Sequence, residues 1–182
     1  MEKKNGNWTI KSTTKIYEND YFEVYEDKVI QPDGKDGKYA TAHFVPGVCI
    51  LPIDDEGFVY LTEQFRYVVG KNTLEAVAGA VEDETPRAAA ERDLKEELGI
   101  TAEEITELGT IQLDNSIIKN ESTFFVARKL KFEEPDRDSS EEMKIVKLSF
   151  REAIEKVLSN EITHSISRAL LLQVWVQNGE KY

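Results

Sequence analysis

A chain of 182 residues, 40% hydrophobic and 32% charged, is long enough to bury a real core in one compact domain with a small appendage. Its formal net charge of -12 speaks against nucleic acid or an anionic membrane as a partner, because phosphates reward Lys and Arg. It leaves room for a small phosphorylated ligand, since a bound divalent cation reverses the local sign. The single cysteine, Cys49, excludes an internal disulfide framework and a cysteine zinc cluster.

The opening, Met1 to Gly6, is polar and is followed by no apolar signal-peptide core. No stretch is apolar and long enough to span a bilayer, so a soluble, cytoplasmic protein is expected. Trp8 to Tyr17 and Tyr21 to Ile30, rich in Thr, Ile, Tyr, Phe and Val, predict strands that end at turn signals. Gln31-Pro32-Asp33-Gly34-Lys35-Asp36-Gly37 predicts a turn, and Lys38 to Phe44 a return to extended chain. Gly47 to Ile53 and Phe58 to Arg66 flank Asp54-Asp55-Glu56-Gly57, the pattern of a hairpin. Cys49 lies in the apolar run Val48-Cys49-Ile50-Leu51 and reads as a core residue.

Thr73 to Val77 predicts one short strand, after which the pattern turns helical. Thr85 suits an N-cap, Pro86 the first helical position, and Gly99 the stop. Ala90, Leu94 and Leu98 form the apolar stripe between them. Thr106 to Ile111, Ser122 to Lys131 and Lys144 to Ser149 predict further strands, with a loop over Phe132 to Glu142. Phe150 to Leu158 and Ser165 to Val176 predict two closing helices. The order of elements favours an α+β fold or an α-β-α sandwich over a doubly wound parallel sheet, with residues 1–45 a β-rich segment before a domain over 46–182.

The first helix carries Asp93 and Glu97 one turn apart, with Glu96 on the same side. A solvated surface helix is the ordinary explanation, but it expects basic residues between the acids, since like charges at this spacing cost roughly 0.2–0.5 kcal/mol per pair. Arg92 reaches Glu96, whereas Asp93 and Glu97 find no basic partner at helical spacing. Ala89 and Ala90 are small enough to leave room beside them. Uncompensated oxygens with space above them suit a hard cation such as Mg²⁺ equally well.

The segment resembles the Nudix box, a glycine and a spaced glutamate followed by Arg-Glu-aliphatic-x-Glu-Glu-x-Gly-aliphatic. Gly79, Glu84, Arg92, Leu94, Glu96, Glu97, Gly99 and Ile100 match by type and order. It departs in two places: the loop from Gly79 to Glu84 is one residue short, and Asp93 stands where the family has its first helix glutamate. Gly57 to Tyr67, the strand-rich N-terminus and the closing helices resemble the ADP-ribose pyrophosphatase branch. The resemblance implies a Nudix fold with a mixed sheet and a small antiparallel N-terminal appendage that helps build a homodimer. It also implies a Mg²⁺-dependent hydrolase, with Mn²⁺ as a substitute, acting on a nucleoside diphosphate sugar such as ADP-ribose. The products would be a nucleoside monophosphate and a sugar phosphate.

By the same resemblance Glu97, Glu96, Asp93 and the main-chain carbonyl of Ala78 are the metal ligands, and Glu84 with Arg92 is an orienting ion pair. The general base maps to Glu141 or Glu142, with Glu121 as a third candidate. Arg66 reads either as a structural ion pair or as a phosphate clamp, and Tyr21 and Phe22 as core aromatics or a nucleobase stack. His43 and His164 lack a second ligand at zinc spacing, and no nucleophile elbow is present. Two features temper the assignment. Leu113 to Ser116 lacks a proline common in that branch, which leaves other nucleoside diphosphate sugars open. Asp93 and the shortened loop keep open a catalytically weak domain that senses a nucleotide.

Overall fold

The computed structural model describes residues 2–135 and 142–178. The elements begin with β1 (Lys3–Asn5), β2 (Trp8–Glu18), β3 (Phe22–Ile30), β4 (Asp36–Phe44), β5 (Gly47–Pro52) and β6 (Phe58–Arg66). They continue with β7 (Lys71–Glu75), β8 (Val77–Ala80), α1 (Pro86–Leu98), β9 (Ile100–Gln112), β10 (Ile118–Lys119) and β11 (Glu121–Phe132). β12 (Met143–Ser149), α2 (Phe150–Leu158) and α3 (Ser165–Asn178) close the chain.

The chain divides into two compact units, Met1–Pro46 with Gln112–Glu121, and Gly47–Ile111 with Ser122–Tyr182. The first is a five-stranded sheet in the order β1-β2-β3-β4-β10. Its antiparallel ribbons are long, with Phe22 opposite Phe44 and Ile30 opposite Asp36. Only β10 runs parallel to its neighbour, β4. β1 and β10 are three and two residues long and carry no alternating pattern, so periodicity does not announce them.

The second unit holds two sheets, β8-β5-β11-β9 and β12-β6-β7. β5 and β11 are parallel, while β5–β8, β6–β7 and β6–β12 are antiparallel, so the unit is mixed. The period of two along these strands builds both faces of the core. Val48 and Ile50 of β5, with Phe125 and Ala127 of β11, pack with Ala89, Ala90, Leu94 and Leu98 of α1. Their neighbours Cys49, Leu51, Phe124 and Val126 pack instead with Ile154 and Val157 of α2 and Leu170, Leu171 and Val174 of α3. A strand apolar on both faces is what a sheet covered on both sides requires. This is the α-β-α sandwich expected from the sequence.

Three features differ from the sequence expectations. The hairpin expected from Gly47 to Arg66 does not form: β5 pairs with β8 and β11, β6 pairs with β7 and β12, and the two meet only at the isolated bridge Ile53–Val59 before they part into different sheets. The strand expected over Thr73 to Val77 is two strands separated at Ala76, whose N–H leaves the ladder and donates to Ser167 Oγ at 2.9 Å. Ala89 and Ala90 do not stand open beside the acids. They are fully buried, and their small size lets α1 approach the sheet closely.

Candidate active site

α1 starts where Thr85 accepts a hydrogen bond from Ala88 N and Pro86 occupies the first turn. It stops at Gly99, which has φ 63° and N–H bonds to Leu94 O and Lys95 O. A side chain is excluded at Gly99 on a second ground, because its Cβ would lie 2.2 Å from Glu133 O. Leu94 and Leu98 fix the helix rotation by their burial, and that rotation turns Asp93 inward too, at 5% exposure.

Asp93 lies over β8. A Cβ at Gly79 would come 2.0 Å from Asp93 Oδ2, so the box glycine is the space the carboxylate occupies. Oδ2 is buried with no hydrogen-bond partner, while Oδ1 pairs with Arg92 Nη1 at 3.0 Å. The expectation that Asp93 has no basic partner is therefore corrected. The partner is its sequence neighbour, which the one-turn spacing rule overlooks. Burial pushes the Asp93 carboxyl up to about 6; Arg92 opposes the rise, and the nearby Glu96, Glu84 and Glu82 add to it.

Arg92 is the hub of this corner. Its Nε and Nη2 lie 3.0 and 2.9 Å from Glu84 Oε1, its Nη2 donates to Ala80 O at 3.1 Å, and its Nη1 stands 3.5 Å from Glu96 Oε2. One guanidinium thus ties the loop after β8 to the helix that carries the acids. Glu96 is exposed, whereas Oε2 of Glu97 is buried. Ala78 sits in β8 opposite Cys49, with its methyl against the core.

The donor set suits a hard divalent cation in kind: every candidate atom is oxygen, and Asp93 Oδ2 is a buried acceptor lacking a proton donor. The acids are not gathered around a point, however. Among the described residues no three His, Cys, Asp or Glu side chains are placed to hold a metal ion. Arg92 instead takes oxygens from Glu84, Asp93 and Glu96. A cation drawing in Asp93 and Glu96 would have to share them with that arginine.

Arg66, at the end of β6, makes a forked ion pair with Glu75, Nε to Oε1 at 3.0 Å and Nη2 to Oε2 at 2.6 Å. Burial raises the Glu75 carboxyl, but the hydrogen bonds from Arg66 and Thr73 and the charges of His164 and Arg66 outweigh it, and it ends below the usual carboxylate range. Sequence reasoning missed Glu75, His164 and Ser167. An acid inside Thr73-Leu74-Glu75-Ala76-Val77, a run otherwise fit for a core, was the available signal.

Of the candidate bases, Glu141 lies outside the described residues. Glu142 is exposed just before β12, whose Met143 pairs with Gln64, and so stands near the Arg66 end of β6. Glu121 is exposed as the first residue of β11. Tyr21 is 68% exposed, and Phe22 stacks on Phe44 with ring centroids 5.0 Å apart.

A helix of acids seated on a glycine strand and braced by an Arg–Glu pair is the arrangement the Nudix box implies. Comparison with known families agrees. The NUDIX domain model matches residues 43–168, and this chain belongs to that family. Residues 8–41 match the nucleoside diphosphate sugar hydrolase N-terminal domain. The chain is 27% identical to an ADP-ribose pyrophosphatase of Bacillus subtilis (strain 168) over 150 residues, 81% of each chain. It is also 27% identical to a methanol dehydrogenase activator of Bacillus methanolicus, over 96% of this chain and 95% of that one. An ADP-ribose pyrophosphatase of Mycobacterium tuberculosis is likewise 27% identical, over 91% and 82% of the two chains. A solved ADP compounds hydrolase superposes with a TM-score of 0.84 at 20% identity, covering 99% of this chain and all of the other, which shows the same fold. The protein is a Nudix hydrolase. Among the described residues no helix is long and apolar enough to cross a membrane.

Proposed function

We propose that this hydrolase cleaves the diphosphate of a nucleoside diphosphate sugar, ADP-ribose or a close analogue, into a nucleoside monophosphate and a sugar phosphate. The observation that carries the reading is the buried, unpartnered Asp93 Oδ2 packed on Gly79 beside Glu97, a carboxylate held where only a cation or a proton would satisfy it. The two pyrophosphatase relatives and the match to a nucleoside diphosphate sugar hydrolase N-terminal domain support the substrate class.

Asp93, Glu96, Glu97 and the Ala78 carbonyl would hold a divalent ion, Mg²⁺ with Mn²⁺ as substitute. When bound, it supplies positive charge to the diphosphate oxygens and lowers the pKa of water. Arg92 and Glu84 hold the helix and loop in register, so the acids keep their places as the ion binds. Arg66 offers guanidinium charge to a phosphate, oriented by Glu75. A glutamate outside the helix takes the proton from the attacking water: Glu141, with Glu142 and Glu121 as the other candidates. The chain works in the cytoplasm as a homodimer to which the N-terminal strands contribute, and light scattering giving a 20.8 kDa particle at micromolar concentration would count against the dimer.

A screen of nucleoside diphosphate sugars with Mg²⁺ tests the reaction. Product analysis should find a nucleoside monophosphate, with no orthophosphate until a phosphatase is added, and EDTA should stop turnover. Release of orthophosphate directly, or unchanged turnover in EDTA, sinks the reading. Gln substitutions at positions 141, 142 and 121 locate the base, where the true one should lower kcat by about 10²–10⁴-fold with metal affinity unchanged.

A further inference from the structure

In the second unit, a cavity of about 600 Å³ opens beside the β6–β7 turn and the start of α3, lined among others by Phe65, Arg66, Tyr67, Glu75 and His164. The buried Glu75 carboxylate stands between two nitrogen bases. Arg66 holds both its oxygens, and His164 Nδ1 lies 3.2 Å from Oε2. The same Nδ1 is 2.8 Å from Ser167 Oγ, the oxygen that already accepts Ala76 N–H. A ring nitrogen facing a carboxylate oxygen must carry the proton, so Nδ1 is the N–H and Nε2 is the nitrogen left to titrate.

The charges then add simply. With a neutral imidazole, Arg66 and Glu75 cancel; with an imidazolium, the cluster carries one net positive charge on the cavity wall. The other groups near it leave this sum unchanged: Lys71, opposite Arg66 on β7, and Glu142, near the Arg66 end of β6, add one charge of each sign. Cys49, on β5 behind Ser167, is held as a neutral thiol by burial and by the charges of Glu75 and Glu97. Arg168 on α3 points to Asn160 and Ile162, and Tyr67 lies on the exposed rim.

We propose that His164 is an anion-binding residue that works with Arg66: protonating the imidazole turns the neutral cluster around Glu75 cationic, so the cavity takes the diphosphate of the substrate more tightly as pH falls. The substrate part rests on the reading of Arg66 given above. Burial holds the imidazole below its ordinary 6.5, Glu75 pulls it back up, and Arg66 pushes it down. The gain therefore appears below that pH. A bound anion must by linkage draw the imidazole back up.

That linkage is the test, made on the full-length, metal-free protein with sulfate as the probe, because sulfate keeps both charges throughout the range. Imidazole NMR follows the two histidines, with His43→Gln assigning them. Against chloride at equal ionic strength, sulfate should raise the His164 midpoint by about 0.3–1 pH unit. In turnover of ADP-ribose, KM of the wild type should fall at least about 3-fold between pH 7.5 and 5.5 relative to His164→Asn, with the kcat ratio flat. An unmoved midpoint, or superimposable KM–pH profiles, overturns the proposal. Absence of hydrolysis of every nucleoside diphosphate sugar would sink the functional reading, while a sulfate-linked midpoint would uphold the anion-binding pair by itself.

Discussion

Glu75 and Asp93 are both carboxylates sealed into the second unit, with side chains 3% and 7% exposed, and each lies against an arginine. Their protons behave in opposite ways. Glu75 has a forked guanidinium, the Thr73 hydroxyl and His164 around its two oxygens, and it stays ionised below the usual range. Asp93 has a single contact to Arg92, an oxygen with no partner, and neighbouring glutamates, and it is pushed up to about 6. Burial is common to both, so the number of hydrogen bonds to the charged form decides the outcome. The first site is complete as it stands, and the second stores charge that a cation would relieve.

The largest effect should come from breaking the complete site. Arg66→Met leaves the buried Glu75 with only Thr73 and His164; because the Arg66 side chain is itself 41% exposed, the cost should sit at or below the lower end of the buried-pair range, about 3 kcal/mol. The loss should read out as a lower midpoint in urea. Since the folded Glu75 carboxyl titrates below its ordinary 4.5, its contribution is present above that pH and vanishes as pH falls through the folded value. Wild type and variant should therefore converge in acid. A variant as stable as wild type at pH 7 would mean that the fork contributes nothing.

Glu97→Gln addresses the other region. It preserves size and removes the charge toward a cation, so turnover should fall at least ~100-fold, with a much smaller change in stability than at Arg66. Steady-state kinetics with Mg²⁺ decide it. Normal hydrolysis by this variant would show that the helix is not the metal site.

The Asp93 side of this contrast is largely legible in the sequence. The caps Thr85, Pro86 and Gly99 act locally, so the sequence bounds α1 correctly, and the two-faced apolar strands β5 and β11 announce a covered sheet. Glu84 and Arg92, eight positions apart, come together as the Nudix resemblance implies. The Glu75 cluster was not legible, because it joins β6, β7 and α3 through side chains with no shared spacing, and Ser167 reaches Ala76 across 91 positions. The break at Ala76 was hidden for the same reason: local propensity cannot see a ladder N–H diverted to a distant hydroxyl. The space beside Ala89 and Ala90 failed because a small side chain marks close packing as readily as an opening.

Asp93→Asn should sharpen the contrast at intermediate size. A carboxyl raised from 3.8 to about 6 binds its proton more tightly when folded, so it costs stability as pH rises between those values, and the full cost persists above about 6. Asparagine removes the charge. In EDTA at pH 7.5 the variant should be more stable by about 1–3 kcal/mol, and at pH 4 nearly equal to wild type. Mg²⁺ should raise the wild-type Tm more than that of the variant. A variant less stable in EDTA at pH 7.5 would mean that the Arg92 contact outweighs the burial.

The smallest effect is expected from Asp93→Glu, which restores the family residue. Asp93 Oδ2 already fills the space that any side chain at Gly79 would need, so a longer acid cannot keep its carboxylate there. The added methylene has to carry the charge outward along α1, toward Glu96 and the face where a cation would be shared. Moving a charge out of a buried, unpartnered position lowers its desolvation cost, and reaching further improves its contact with an ion. Turnover should therefore stay the same or rise, by no more than about 3-fold, with tighter Mg²⁺ dependence and little change in Tm. The opposite result is equally informative. If turnover collapses while Tm holds, the short side chain and the shortened loop from Gly79 to Glu84 have adapted to each other, and the buried aspartate is the working geometry of this site.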